Sequence, residues 1–172
     1  MRGSTHYRYA GGGVINTEIV LSDVSADFAG SYLNRGIDAT SSNEVLKAAT
    51  GNSEHVYRVV FEWEPNETYT FSAVVKSGTL NWFKAREFGA SKMDSFFNLQ
   101  TAEFGSIPVE CTPKIELLPD GFYKCSITFT VASSGFNNLI DFGLANSDNA
   151  RTWDAETNDN ILIKSIQLEK HL

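Results

Sequence analysis

The segment 146–160, NSDNARTWDAETNDN, concentrates side chains that could do chemistry. Sugars present C–H faces that stack on aromatic rings, while neighbouring amides and charges bind hydroxyls. Trp153 is the one aromatic in this polar stretch, and Arg151, Asp154, Asn158 and Asp159 lie around it. This pattern predicts a glycan site on a loop, with Trp153 exposed. The alternative is that Trp153 plugs the core edge or packs on a neighbouring subunit. Trp82, with Lys84 and Arg86 on one strand face, is the second candidate. Asp154, Glu156 and Asp94 supply carboxylates, and a glycosidase needs two of them, one with a raised pKa. They read as solvated loop charge. No G-x-S-x-G elbow and no H-E-x-x-H motif occurs, so the expectation is a protein without turnover. Gly11-Gly12-Gly13 lacks the lysine of a phosphate loop.

Metal chemistry has little support. His6, His55 and His171 are scattered, with no second ligand at metal spacing. Asn16, Glu18, Asp141 and Asp159 offer oxygens for a structural Ca²⁺, but no loop has the spacing of a dedicated site. The expectation is no cofactor, with a structural calcium as the open alternative.

The elements that must position these groups are strands. The chain has 172 residues, enough for one domain with its own core. Aromatics at 12% and 13 glycines favour strands and tight turns. In 57–64, Tyr57, Val59, Phe61 and Trp63 share one face; in 69–76, Tyr69, Phe71, Ala73 and Val75 do so. Residues 122–131 place Tyr123, Cys125, Ile127, Phe129 and Val131 inward. Residues 80–88, 139–144 and 161–168 are further strands, and an apolar phase slip predicts a bulge near Lys164-Ser165. Only 43–49, NEVLKAA, has helical propensity, and it is short. The reading is an all-β, two-sheet antiparallel sandwich over 14–172, preceded by an arm, residues 1–13. A hairpin turning at Leu118-Pro119-Asp120-Gly121 sets Leu117 against Phe122, Cys125 against Lys114 and Cys111 against Thr128, a register that argues against a disulfide.

Lys and Arg total 14 against 21 Asp and Glu, a net charge of -7. Such a surface repels phosphate backbones, so nucleic acid is not an expected partner. No run of 18 apolar residues and no apolar core near Met1 is present, so neither a membrane partner nor a signal peptide is expected. The arm carries Arg2, His6, Tyr7, Arg8 and Tyr9 and no acid. It reads as a basic partner-binding arm for an acidic neighbouring surface.

Four segments, in order, resemble a known pattern: 55–78, HVYRVVFEWEPNETYTFSAVVKSG; 81–88, NWFKAREF; 119–131, PDGFYKCSITFTV; and 161–170, ILIKSIQLEK. The chain resembles the jelly-roll domain of carbohydrate-binding-module type that recurs in tailed-phage structural proteins. Gly121-Phe122-Tyr123-Lys124-Cys125-Ser126 stands where that family carries a Gly-Trp-Tyr-Arg-Cys-Ser strand, with Phe for Trp and Lys for Arg. The resemblance implies a jelly roll and a non-enzymatic virion structural protein, a head decoration or cement protein assembled in the host cytoplasm. Its implied partners are further copies of itself, as a trimer, and the major capsid or another virion protein, with host surface glycans also in reach. The alternative it implies is a carbohydrate-binding module or receptor-binding tail-fibre domain.

Overall fold

The structure, a computed structural model, describes residues 17–20, 33–38, 45–60 and 63–171. The basic arm with Arg2, His6, Tyr7, Arg8 and Tyr9 lies outside the described residues, as do Asn16 and Phe61. The described residues contain strands and turns and no helix.

The strands are β1 (Thr17–Val20), β2 (Leu33–Arg35), β3 (Val45–Lys47), β4 (Gly51–Ser53), β5 (Val56–Val60), β6 (Thr68–Ser77) and β7 (Trp82–Glu87). They continue with β8 (Asp94–Asn98), β9 (Glu103–Phe104), β10 (Thr112–Leu117), β11 (Tyr123–Thr130), β12 (Leu139–Ala145), β13 (Trp153–Ala155) and β14 (Asn160–Lys170). One sheet runs β1-β14-β6-β11-β10, with β3 also on β14; the second runs β2-β5-β12-β7-β8-β9; β13 and β4 form a small third ladder. The two large sheets pack face to face as an antiparallel β-sandwich.

The core follows from period-two alternation. Phe71, Ala73 and Val75 of β6, Ile127 and Phe129 of β11, and Ile161, Ile163 and Ile166 of β14 point inward from the first sheet. Phe83 and Ala85 of β7 and Ile140, Phe142 and Leu144 of β12 answer from the second. Trp63 meets Tyr69 and Phe129 edge-on at 4.9 and 5.4 Å, a geometry aromatic quadrupoles favour. The expected bulge is present: β14 shifts register against β6 between Ile163 and Ser165, which returns Ile166 to the core.

Two expectations change. Residues 45–47 of NEVLKAA form a strand, because pairing with β14 buries Leu46 where an isolated single turn of helix would be marginal. The 111–125 hairpin is offset by one residue: Leu117 faces Tyr123, Ile115 faces Cys125, and Thr112 faces Thr128. Gly121, at φ 80°, occupies the left-handed region and closes a three-residue loop between Leu118 and Phe122. Both cysteines remain free and buried, and burial pushes the Cys111 thiol up to about 12.

Candidate functional site

The outward phase of the second sheet carries an unusual row. Antiparallel register sets Arg58 of β5 beside Asp141 of β12, Asp141 beside Arg86 of β7, and Arg86 beside Asp94 of β8. The signs therefore alternate across four strands. Arg58 grips Asp141 with both prongs, Nε to Oδ1 at 2.7 Å and Nη2 to Oδ2 at 2.8 Å. Arg86 Nη2 donates to Asp94 Oδ2 at 2.7 Å, and its Nη1 lies 3.6 Å from Asp141 Oδ2. The Phe88 ring sits 5.2 Å from the Arg58 guanidinium and 5.7 Å from that of Arg86. Weakly hydrated guanidiniums suit such a stacked, fork-shaped environment.

The row is buried although it faces away from the core. Asp141 is 0% exposed and Arg86 1%. Its cover includes the segment before β5. Gly143 of β12 makes this possible, since a Cβ there would collide with the His55 carbonyl. His55 takes φ 49°, a conformation that costs a non-glycine residue energy. Its ring nitrogens lie 2.6 Å from the Gly36 oxygen and 3.0 Å from the Trp153 oxygen, and its ring packs 4.4 Å from that of Trp153. The preceding residue, Glu54, thereby reaches the row. Its Oε1 accepts from Arg151 Nε at 2.9 Å and lies 3.5 Å from Arg86 Nη1; its Oε2 accepts from Arg35 at 3.0 Å.

Burial works against charge on Glu54. The Arg151 hydrogen bond, the field of Arg86 and the Arg35 hydrogen bond outweigh it and lower its pKa to about 2. A general acid needs the opposite shift. Lys84, two pairs further along the ladder opposite Gly143, is 0% exposed. Its ammonium donates to the carbonyls of Ala150 and Arg151, and burial lowers its pKa to about 8 despite the attraction of Asp94. Arg86 Nε and Asp94 Oδ1 are the polar atoms of the row left without a hydrogen-bond partner.

The sequence candidates fall into separate places. Trp153 is 5% exposed: 153–155 pairs with β4, the ring turns inward, and its Nε1 donates to the Leu144 oxygen at 3.4 Å. The expected exposed ring is thus a plug at the core edge, and it offers no face for a sugar. Arg151 and Arg86 come together through Glu54. Asp154 is exposed on β13, and Asn158 is exposed at φ 73°, its carbonyl accepting from Asn160; neither joins the row. Trp82 points outward beside Asn98 and Ala145, half-buried. Asn81 bonds Gln100 at 3.1 Å, and Asn98 Oδ1 accepts from the Gln100 and Thr101 amides, so this rim is rich in amides. Asp94, expected as loop charge, belongs to the row.

Arg58, Glu54 and Arg35 are participants that sequence reasoning missed. The available signal was a charge in the outward phase of otherwise apolar strands, V-Y-R-V-V and L-I-D-F-G-L. Of the oxygens considered for calcium, Asp141 is held by Arg58 and Asp159 Oδ2 accepts from the Glu156 amide at 2.8 Å. Among the described residues, no group of three or more His, Cys, Asp or Glu could hold a metal ion. No protein-family model matches the chain, and no curated protein matches it in sequence.

Proposed function

We propose that this chain is a non-enzymatic structural protein of a tailed-phage virion, a head decoration or cement protein of jelly-roll type. It works by docking a stiff sandwich against the major capsid or another virion protein as a homo-oligomer. The observation that carries the reading is where the segments of resemblance fall. Residues 68–77, 123–130 and 160–170 are three adjacent strands, β14-β6-β11, and 82–87 is β7, next to the second sheet's central β12. The resemblance therefore follows the framework of the sandwich. The buried row supports docking over turnover, because its carboxylates are already engaged by guanidiniums. Peptide mass spectrometry of purified virions tests the reading: the chain is expected at fixed stoichiometry, and deletion of residues 1–13 is expected to lower it. Absence from the particles contradicts the reading.

A second reading, a glycan-binding module, is favoured by the half-buried Trp82 amid its amides. Trp82→Ala is expected to abolish binding on a glycan array. A wild-type protein that binds no glycan sinks this reading.

A further inference from the structure

Strand β10 ends the first sheet: among the described residues only β11 pairs with it. The direction of its free backbone groups follows from the hairpin. Leu118 N donates to Phe122 O, so 118 and 122 are a hydrogen-bonded pair. Antiparallel ladders alternate, so Thr112, Lys114 and Glu116 bond β11, while Pro113, Ile115 and Leu117 point their backbone groups to the open side. Pro113 fits this edge, since its missing N–H falls where no ladder bond is made. The side chains divide the other way. Lys114 and Glu116 share the outer face, exposed and paired at 2.9 Å, and Leu117, an apolar side chain, is 63% exposed.

We propose that the β10 edge is a self-association site, and that its occupant is the β10 edge of a second copy, antiparallel about a two-fold axis through Ile115. Ile115 then exchanges both backbone hydrogen bonds with the partner's Ile115. Leu117 N–H donates to the partner's Pro113 oxygen, and the reciprocal bond forms at the other end. The missing N–H of Pro113 leaves only the Leu117 carbonyls without a ladder partner. On the outer face Lys114 lies opposite the partner's Glu116 and Glu116 opposite the partner's Lys114. On the other face Leu117 covers Pro113 of the partner subunit.

Charge selects this register. Moving the axis by one residue sets Lys114 against its own copy, or Glu116 against its own copy. A lone lysine and a proline on an edge strand guard against pairing. Here a glutamate two residues from the lysine on the same face turns the guard into a self-complementary, isologous patch. An edge of this length buries little area, so the dimer is reversible and concentration-dependent. The inference stands on the edge geometry alone and does not depend on the proposed function.

Sedimentation of the full chain over rising concentration, with charge-reversed variants, tests it. Lys114 and Glu116 are exposed, so reversal leaves the core intact, and thermal melting verifies folding. The wild-type mass is expected to rise from 19.0 kDa toward twice that value. K114E alone and E116K alone are expected to stay monomeric, because each sets like charges across the axis. An equimolar mixture of the two is expected to associate, since every charge then meets its opposite. A wild type fixed at one copy or settling at three, single variants that dimerise as tightly as the wild type, or a mixture that fails to associate would each overturn the proposal.

Discussion

The outer faces of the two sheets obey one alternation rule and differ in the charge of what they turn outward. On the first sheet, β6 and β11 turn out Thr68, Thr70 and Ser72 opposite Thr130, Thr128 and Ser126. The hydroxyls pair across the strands, Thr68 with Thr130 at 2.9 Å and Thr70 with Thr128 at 2.7 Å. These are short, neutral contacts that water can replace. On the second sheet the same phase holds Arg58, Asp141, Arg86 and Asp94 under cover. Pointing away from the core is therefore distinct from being solvated. Neutral hydroxyl pairs contribute little net stability, and they tolerate the burial of the neighbouring Ser72 and Ser126, whereas charges taken from water depend on every partner being present.

The comparison breaks most visibly at Asp141. Asp141→Ala takes both hydrogen bonds from Arg58, leaves Arg86 with Asp94 and Glu54 alone, and is expected to lower stability by about 3–5 kcal/mol. Urea unfolding reads this as a lower midpoint at unchanged slope. A loss within the range of an ordinary surface substitution would show that water already solvates the row. The double variant Arg58→Met, Asp141→Leu removes the main pair together. It is expected to be more stable than Asp141→Ala alone, because an apolar pair leaves no orphaned charge on those two positions. A strictly additive loss would deny the coupling.

Acid sharpens the contrast. Glu54 titrates near 4.5 in the unfolded chain and at about 2 in the fold, so the unfolded chain binds its proton first as pH falls. Ionised Glu54 stabilises the fold above about pH 4.5, and that contribution drains away between about 4.5 and 2. Glu54→Gln is expected to be less stable than wild type at pH 7, with the gap closing through that window. A gap that does not change with pH would contradict the assignment. The smallest effect belongs to the first sheet. Thr70→Val removes the hydroxyl that bonds both Thr128 Oγ1 and His171 Nε2 but keeps a β-branched side chain, and is expected to shift stability by no more than about 2 kcal/mol.

The sequence made the strands legible because alternation is local: Tyr69 to Val75 and Cys125 to Val131 reveal their inward faces without any partner. The bulge in β14 was legible for the same reason, as a phase slip within one segment. What escaped needed two segments at once. Val45 to Lys47 became a strand only because β14 was there to pair with it. The hairpin register turned on whether Gly121 entered the left-handed region, a one-residue choice its neighbours do not announce. Trp153 looked exposed because its polar flanks resembled a loop, although Trp-Asp-Ala already alternates as the three-residue strand that buries it. The charged row spans Glu54 to Asp141 and has no local motif, since Arg58, Asp141, Arg86 and Asp94 meet only through register and Glu54 reaches them from the segment before β5.

Exchange of the arginine side-chain Nε–H groups, followed by NMR on the intact protein, tests the locked row most directly. The Nε–H of Arg58, bonded to Asp141, and that of Arg86, sealed from solvent, are expected to exchange about tenfold or more slowly than that of Arg35, whose side chain is 47% exposed and which reaches Glu54 through Nη1. Equal, fast exchange at all three would mean that the face is open to water and the account of a rigid, covered charge row is wrong.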